Sequence, residues 1–392
     1  MKVAYVGTLL PETNYFKYLA QSIQENGQEL LIYADKEPKN LTVGLKDVFL
    51  VWDKSPKFFF QIIRKSLKDK PKIIHLHHEI GMFGNLKGAV MFPFLLILLR
   101  FLGFKLVVTI HAVVKKEKIN LDFLEINKFP VYPALVFPTR TFFTFLNKTI
   151  GIVSSRIIVH SEGLKKILIK DYRLKAEKIV VIPHGVPDKV EENVKEPIDS
   201  AWWPKIRGHK FCLYFGYLHR RKGLEQVIKG LNLLKLSTKY PLPTLIIAGG
   251  TLQKDYEESL KKLVVDLDLA EDIIFAGFVS GDELSWLLTN CVFVVAPATY
   301  SISASGPLAQ VIAFEKPVIL TKIGVFAEEL EDGKSALYVQ PENPAGWEEA
   351  IKIMEKDYNL RKELTKGIKE IHEERKWQKI GQRTVEIYQS VV

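Results

Sequence analysis

The chain has 392 residues, enough for two hydrophobic cores, and 47% of them are hydrophobic while 26% are charged. That composition is typical of a soluble globular protein and excludes disordered and fibrous classes. Cys212 and Cys291, its two cysteines, lie in separate apolar runs, which excludes a disulfide framework and a cysteine-based zinc site. Both thiols are predicted to be buried, and the lack of a disulfide framework fits a reducing, cytoplasmic compartment.

The net charge of +10 belongs to the first half of the chain. Residues 1–192 carry 29 Lys and Arg against 18 Asp and Glu, whereas residues 193–392 carry 26 against 27. An anionic membrane surface, an anionic substrate, nucleic acid or a merely solvated surface would each account for this excess. Nucleic acid is disfavoured because the basic residues are not interleaved with aromatic residues in a recognisable module.

In chain order, apolar strand-like runs alternate with helical patterns. The opening residues, MKVAYVGTLLP, turn too early for a signal peptide and predict a strand, and a helix follows at Tyr15–Asn26. The predicted strands of the first half are KVAYVG, QELLIYA, KIIHLHH, FKLVVTIH, RIIVHS and KIVVIPHG. A polar stretch at 188–209 interrupts the series, which resumes with KFCLYFG, PTLIIAGG, DIIFAGF, CVFVVAP, KPVILT and ALYVQ.

Strands rich in Val, Ile and Leu that alternate with helices predict parallel sheets covered on both faces. We therefore predict an α/β fold of two doubly wound, Rossmann-like domains facing a cleft, at residues 1–190 and 205–377. Ligands of such sheets bind beyond the carboxyl ends of the strands. The loops that follow the strands are accordingly the candidate sites.

Three segments of the first half permit a membrane interpretation. The uninterrupted apolar run Ala89–Leu99 is only eleven residues long, which predicts a buried helix rather than a span of about 20. Residues 54–72 predict a basic amphipathic helix, with Phe59, Ile62, Ile63 and Leu67 on its apolar side, for the core or for anionic headgroups. Residues 129–146 carry three prolines and fit either a lipid-docking surface or a packed linker helix.

The stretch YFGYLHRRKGLEQVIKGL (214–231) predicts a phosphate site. A strand ends at Gly216, and a basic turn places Arg220, Arg221 and Lys222 beside the N-terminus of a helix. Cations and unpaired helix N–H groups both favour a phosphate, although a solvated basic turn would look the same.

Three later segments leave room for a ligand. IIAGG (246–250) and IIFAGFVSGDEL (273–284) each end a buried strand in glycine, which lets a ligand approach the backbone. PATYSISASGPLAQ (297–310) follows the apolar run CVFVVA and contains no charged residue. Neither a G-x-G-x-x-G turn nor a P-loop occurs in the chain.

Taken in order, these segments resemble the retaining glycosyltransferases of the class "glycosyl transferases group one" (family four), which have the GT-B fold. YFGYLHRRKG is similar to the family's F-G-x-[LI]-x-x-x-K-G turn, TLIIAGG to its glycine-ended strand, and GPLAQVIAFEKPVILTKIGVFAEELEDGKSALYVQP to its long closing pattern. TIHAV, IIVHSEGLKKIL and IVVIPHGV resemble first-domain segments more loosely. ERKWQKIGQRTVEIYQSV resembles the terminal helix, which implies that residues of about 378–392 return to the first domain.

The resemblance implies transfer of a hexose, of mannose or glucose type, from a UDP- or GDP-sugar to a glycan or glycolipid, without a cofactor or a bound metal. It assigns catalytic roles to His111, Arg221 and Lys222, with Lys222 on the diphosphate and His111 near the donor sugar. The further donor-binding residues that it implies are Gly216, His219, Arg220, Gly249, Gly250, Gly277, Phe278, Val279, Ser305, Gly306, Pro307, Gln310 and Glu328.

Two glutamates that the family commonly carries are absent from this chain. Gln310 stands where the second belongs, and its amide oxygen can still accept a ribose hydroxyl. The first falls within Ser301–Ser303, where no acid occurs. A non-catalytic nucleotide-sugar-binding or partner subunit therefore stays open as the alternative, and an epimerase on the same fold is disfavoured. A metal site at His75 and His77 is also disfavoured, because the family has a similar strand end without metal.

Overall fold

The computed structural model describes residues 1–9, 14–36, 44–84, 86–126, 129–188, 190, 194–238, 241–251, 253–300, 305–324 and 326–392. These residues form two compact units. Unit 1 contains the described residues of Met1–Gly185 together with Arg375–Val392, and unit 2 contains those between Val186 and Glu374. The chain enters unit 2 before the polar stretch at 188–209, whose Trp202, Trp203 and Ile206 are buried in the core of unit 2.

The helices and strands alternate along both units. The strands of unit 1 are β1 (Val3–Gly7), β2 (Leu30–Asp35), β3 (Val48–Trp52), β4 (Ile73–His78), β5 (Lys105–Ile110), β6 (Arg156–Val159) and β7 (Ile179–Val181). Its first six helices are α1 (Asn14–Glu25), α2 (Phe58–Asp69), α3 (Leu86–Phe101), α4 (Leu121–Ile126), α5 (Pro133–Val153) and α6 (Glu162–Tyr172).

Unit 2 repeats the alternation. Its strands are β8 (Phe211–Phe215), β9 (Thr244–Ala248), β10 (Ile273–Gly277), β11 (Phe293–Ala296), β12 (Val318–Thr321) and β13 (Leu337–Val339). Its helices are α7 (Trp203–Ile206), α8 (Leu224–Ser237), α9 (Lys254–Asp266), α10 (Gly281–Asn290), α11 (Gly306–Ala313), α12 (Phe326–Glu329), α13 (Pro344–Lys356) and α14 (Tyr358–Arg375). The last helix, α15 (Trp377–Val391), packs on α1 within unit 1.

Within the described residues, both sheets are parallel and doubly wound. Their strand orders are β3-β2-β1-β4-β5-β6-β7 and β10-β9-β8-β11-β12-β13, so each order reverses once, between β1 and β4 or between β8 and β11. In β8, Phe211 and Leu213 join one core while Cys212 and Tyr214 join another. Side chains of a strand alternate between faces, so both faces of this sheet are buried, and ligands of such a sheet bind where the order reverses.

β3, an edge strand of the first sheet, is not among the strands predicted from the sequence. Only Trp52 at its end is fully buried, so VFLVW is neither a continuously buried run nor a clean alternation. β3 pairs in parallel with β2 over Ile32 to Asp35. An edge strand has one neighbour and less burial, which weakens the pattern that identifies it.

The segments with a membrane interpretation are helical, and none of the described helices is long and apolar enough to cross a bilayer. α2 buries Phe58, Ile62 and Ile63, whereas Leu67, which the sequence placed on the same apolar side, is exposed. The expectation of a buried helix at Ala89–Leu99 is only half right, because α3 buries Leu95 and Leu96 but exposes other apolar side chains to solvent.

The end of β9 is packed against the end of β8, and this contact predicts how a substitution there changes the stability of unit 2. A Cβ on Gly249 would lie 1.9 Å from the carbonyl oxygen of Gly216. Gly249→Ala is therefore expected to destabilise unit 2 by about 1–3 kcal/mol, as other overpacked substitutions do. Gly281→Ala is the matched control, since its Cβ would meet nothing within 4 Å. Urea unfolding curves measure both, and equal midpoints would contradict the expectation.

Candidate functional site

The glycines predicted to bind a donor lie side by side at the carboxyl edge of the unit 2 sheet. Gly216 follows β8, Gly249 follows β9 and Gly277 ends β10, on three neighbouring strands. The Gly249 N–H donates to the Gly277 carbonyl at 2.6 Å, and the Gly216 N–H donates to the Ala248 carbonyl at 2.9 Å. We call these three residues the glycine edge. A Cβ on Gly277 would meet nothing within 4 Å, which leaves its backbone accessible, whereas one on Gly249 would strike the Gly216 carbonyl oxygen at 1.9 Å.

The basic turn lies at the same edge and is held in place on both sides. Arg220–Lys222 form one 3₁₀ turn, in which the Arg221 N–H donates to the His219 ring Nδ1 at 3.2 Å. The Thr299 N–H donates to the Arg221 carbonyl at 2.8 Å. A Cβ on Gly223 would lie 2.3 Å from the Pro297 carbonyl oxygen, so the turn packs directly on the segment that follows β11.

Arg221 and Lys222 are half-buried cations without an acidic partner among the described residues. Burial lowers the pKa of the Lys222 ammonium, and the nearby Arg221 lowers it further. Burial also lowers the pKa of the Arg221 guanidinium. Two uncompensated cations at the point where the strand order reverses favour an anionic ligand, because a bound anion removes the cost of burying their charge.

Arg220 differs from its two neighbours. Its guanidinium lies 2.6 Å from the Asp255 carboxylate at the start of α9, and both side chains are exposed. Its backbone N–H donates to the Gln253 side chain at 3.1 Å. The structure therefore supplies a carboxylate to Arg220 but not to Arg221.

This difference predicts unequal effects on binding of a nucleoside diphosphate. Arg221→Met is expected to weaken binding of UDP or GDP by about 10-fold or more, the value of one charge-assisted hydrogen bond. Arg220→Met is the matched control and is expected to change affinity by less than about 2-fold, because its exposed ion pair contributes little. Isothermal titration measures both variants, and equal losses would refute the distinction.

The start of α11 closes the other side of this edge. The Ser305 hydroxyl caps the helix by accepting the Leu308 N–H at 3.2 Å. Ser305 and Pro307 line a small cavity of about 30 Å³ together with Lys222, room for about one water. Gly306 is exposed, and a Cβ on it would meet nothing within 4 Å. Ser301–Ser303, where the sequence placed the replaced first glutamate, lie outside the described residues.

Several residues assigned by resemblance lie outside that small cavity. Phe278 is 78% exposed after β10, and Val279 packs against the core of unit 2. Gln310 is exposed on α11, and Glu328 is exposed on α12. Gly250 follows β9, where its carbonyl accepts the Leu218 N–H at 2.9 Å. Their roles toward a donor stay predictions.

In unit 1, His111 belongs to a row of histidines, which we call the histidine row and define as His77, His111, His160 and His184. His77 lies in β4, and the other three follow the neighbouring strands β5, β6 and β7. Tyr15 contacts the rings of all four, with centroid distances of 4.8 Å to His111 and 4.9 Å to His184. Of these four histidines, only His111 was predicted from the sequence to be a site residue. A usable signal was present, because four successive predicted strands each carry a histidine as the last or the next-to-last residue.

Hydrogen bonds fix the proton positions along the row. His160 Nδ1–H donates to the Ile182 carbonyl at 3.0 Å, so its Nε2 accepts the His111 Nδ1–H at 3.1 Å. His111 Nε2 in turn accepts the His77 Nδ1–H at 3.0 Å. Burial lowers the pKa of all three rings, that of His160 to about 4, and keeps them neutral. Both ring nitrogens of His111 are thus engaged within unit 1, so binding a sugar hydroxyl requires exchange of one of these bonds.

The described residues contain no cluster of side chains suited to bind a metal ion. No group of three or more His, Cys, Asp or Glu side chains is placed to hold an ion there. His75 uses both ring nitrogens elsewhere, at 2.6 Å from the Tyr388 hydroxyl and 2.7 Å from the Thr109 hydroxyl. Cys212 and Cys291 are buried, and burial raises the pKa of both thiols.

Comparison with known proteins gives matches over both units. Residues 198–371 match the family "Glycosyl transferases group 1", and residues 13–190 match "Glycosyltransferase Family 4". The O-antigen chain mannosyltransferase RfbU of Salmonella typhimurium strain LT2 is 30% identical over 264 residues, covering 66% of this chain and 67% of that protein. An uncharacterized glycosyltransferase of Methanocaldococcus jannaschii is 26% identical over 246 residues, covering 60% of each chain.

These matches span about 60 to 67% of the length of the two curated relatives. Among solved structures, Anabaena Alr3699/HepE in complex with UDP-glucose aligns over 100% of both chains, with a TM-score of 0.73 and 16% identity. At that identity the likeness establishes the fold.

Proposed function

The chain belongs to the glycosyl transferases of group 1 and has the GT-B fold. From that premise we propose that it moves a hexose, of mannose or glucose type, from a UDP- or GDP-sugar to a glycan or glycolipid, with retention of anomeric configuration. The observation that carries the proposal is the pair Arg221 and Lys222, two half-buried cations without an acidic partner among the described residues. The mannosyltransferase name of one relative and the UDP-glucose bound to a structural neighbour agree with it.

In the proposed reaction, the bond between the anomeric carbon and the diphosphate breaks as the acceptor hydroxyl bonds to that carbon. Negative charge develops on the diphosphate oxygens, and the departing diphosphate takes the proton of the acceptor hydroxyl. We assign stabilisation of this charge to the Lys222 ammonium and the Arg221 guanidinium, because cations that a protein holds in place before the reaction stabilise developing charge without reorganisation. In this proposal the diphosphate and nucleoside approach the backbone at Gly216 and Gly277, where an added Cβ would meet no atom closer than 3.7 Å. Gln310 takes the ribose hydroxyls in place of the missing carboxylate.

We further propose that the reaction needs no bound metal, since two protein cations supply the charge that a divalent ion would otherwise supply. Activity in excess EDTA tests this directly: undiminished turnover supports the proposal, and a loss that Mg²⁺ or Mn²⁺ restores refutes it. A cytoplasmic location, with peripheral contact at the inner face of the membrane, is also proposed. It rests on the two free cysteines and on the excess of Lys and Arg in residues 1–192.

The experiment that tests the function is a thermal-shift panel of UDP, GDP, ADP and their common sugars, followed by transfer assays with the stabilising donor. Selective stabilisation by one series, lost in Lys222→Ala, together with a glycosylated product of retained configuration, supports the proposal. Stabilisation without transfer to any lipid or glycan acceptor would instead assign the non-catalytic donor-binding subunit. The absence of the two family glutamates favours that second candidate. Stabilisation by none of the nucleotides would overturn both.

A further inference from the structure

Unit 1 contains a large apolar cavity that none of the assigned site residues lines. Its volume is about 430 Å³, and it lies between α3, α5 and the segment that follows β4. Its wall is largely aromatic and aliphatic, including Phe83, Phe92, Phe142, Phe143 and Leu146. Pockets for small ligands fall in the range of about 300–1,000 Å³. The size and the lining therefore suit a hydrocarbon chain.

One end of the cavity is polar. His78, which is 8% exposed, and Glu79 line it at the carboxyl end of β4. Among the described residues, His78 Nδ1 is a buried atom without a hydrogen-bond partner. Burial raises the pKa of the Glu79 carboxyl and lowers that of His78 to about 4, which favours the uncharged form of each side chain. An uncharged polar group of a ligand, such as a hydroxyl or an ester, would complete the hydrogen bonding there.

That polar end adjoins the histidine row. The His111 N–H donates to the His78 carbonyl at 3.0 Å, because β4 and β5 are paired neighbours. A ligand whose chain fills the cavity thus places its polar end beside the strand edge that carries His111. This one backbone hydrogen bond links the polar end of the cavity to His111, the residue predicted to lie near the donor sugar.

The outer surface of α3 and α5 is apolar as well. We call it the α3–α5 face and define it by Val90, Phe94, Ile97, Phe101, Phe137, Phe145 and Ile152, which are all exposed. The exposure reaches 85% at Phe101 and 77% at Phe137. The rings of Phe94 and Phe145 lie 5.8 Å apart, which joins the two helices into one surface. Val90 belongs to this face and also lines the cavity, so the cavity opens beside it.

Cations adjoin this apolar face. Lys178 Nζ donates to the carbonyls of Gly151 and Ile152 at the end of α5, at 2.9 and 3.0 Å. Burial lowers the pKa of Lys178, and the positive charges of Lys175, Arg100 and Arg156 lower it further, whereas the carboxylate of Glu177 acts in the opposite direction. Each Lys or Arg near an anionic membrane surface strengthens binding to it. Apolar side chains flanked by cations match the interior and the headgroups of an anionic bilayer.

We propose that unit 1 binds an anionic membrane through the α3–α5 face and takes the hydrocarbon chain of a membrane lipid into its cavity. The lipid is the acceptor, and its polar end is presented beside His78 and Glu79. That last step rests on the proposed function, whereas binding to the bilayer and binding of the chain do not. Of the two acceptor classes, glycan and glycolipid, the lipid is therefore the one that this cavity favours.

The first experiment measures binding of the full chain to vesicles by co-sedimentation, with phosphatidylcholine alone or with 30% phosphatidylglycerol. Wild type is expected to bind the anionic vesicles at least 10-fold more tightly. The double variant Phe94→Ser/Phe101→Ser is expected to lose at least 10-fold of that binding. Leu236→Ser is the matched control, since Leu236 is an exposed apolar residue of unit 2 and the change should have no effect.

The second experiment measures the cavity with dansyl-undecanoic acid, whose fluorescence rises in apolar surroundings. Ala89→Trp fills the cavity and is expected to weaken probe binding at least 10-fold while leaving vesicle binding intact. Thr139→Trp, on the opposite wall, provides a second filling variant if Ala89→Trp does not fold. Phe94→Ser/Phe101→Ser is expected to bind the probe as wild type does, because neither ring lines the cavity.

The outcomes separate this inference from the proposed function. No binding of anionic vesicles, or probe binding unchanged by both tryptophan variants, would overturn the inference even if sugar transfer to a soluble glycan is observed. A dimer by light scattering that Phe94→Ser/Phe101→Ser dissociates would also overturn it, since a second copy would then cover the face. Vesicle and probe binding as expected, without any transfer, would leave the lipid site standing and refute the enzymatic role.

Discussion

Lys222→Met is expected to lower kcat/KM for sugar transfer by about 100- to 1,000-fold, the usual loss when one preorganised charge-stabilising group is removed. Lys222 is half-buried, lines the small cavity with Ser305 and Pro307, and has no acidic partner among the described residues. Its charge is therefore available to the leaving diphosphate, where the charge of the transition state exceeds that of the ground state. The loss is expected mainly in kcat, with a smaller rise in KM for the donor.

The controls for this prediction test charge and position separately. Lys222→Arg keeps a cation and is expected to recover part of the activity, because a guanidinium fits a different geometry. Lys352→Met removes an exposed lysine of α13 and is expected to leave kcat/KM unchanged. Steady-state kinetics with the identified donor measure all three. Activity of Lys222→Met within 5-fold of wild type would contradict the proposed role of Lys222.

The second large effect concerns acid stability, which the buried histidines of unit 1 are expected to control. Burial lowers the pKa of His78 and His160 to about 4 and that of His75 to about 3, whereas unfolded histidine titrates near 6.5. Between these values the unfolded chain takes up protons that the folded chain does not. Each such ring therefore contributes stability above about pH 6.5 that is lost, at about 1.4 kcal/mol per pH unit, as the pH falls toward 4.

Urea unfolding of the whole chain at pH 7, 6 and 5 measures this loss. His78→Phe keeps a ring against Phe92 and removes one titrating group, so its free energy of unfolding is expected to fall less steeply by about 1.4 kcal/mol per pH unit. His209→Gln, at an exposed position of unit 2, is the matched control and should keep the wild-type slope. A wild-type stability that does not change between pH 7 and 5 would show that the rings are not buried as neutral groups.

The sequence predicted the two doubly wound sheets because the signal for them is local. Continuous Val, Ile and Leu runs separated by helical patterns require parallel strands covered on both faces. Every strand was recognised in this way except the edge strand β3, which is not continuously buried. The alternation also predicted which loops carry a ligand, since the carboxyl ends of parallel strands meet at one edge. Gly216, Gly249 and Gly277 lie there as expected, on neighbouring strands.

The sequence did not predict which side chains interact with one another at the site. The neighbouring Arg220 and Arg221 look equivalent in the sequence, yet only Arg220 receives a carboxylate, from Asp255 on another helix. His77, His111 and His160 are separated by 34 and 49 residues and meet only because β4, β5 and β6 are adjacent in the sheet. The order of the strands in the sheet brings these histidines together, and no local sequence pattern encodes that order.

By itself, then, the sequence determined the fold class, the glycine edge and the basic turn, because propensity, periodicity and turn chemistry act within a few residues. The tertiary structure alone decided which histidines are linked, which arginine stays uncompensated, and that α3 is apolar on its exposed side as well as its buried side. The cavity between α3 and α5 likewise exists only in three dimensions. Helices distant in the chain must pack before the space between them, and what it can hold, is defined.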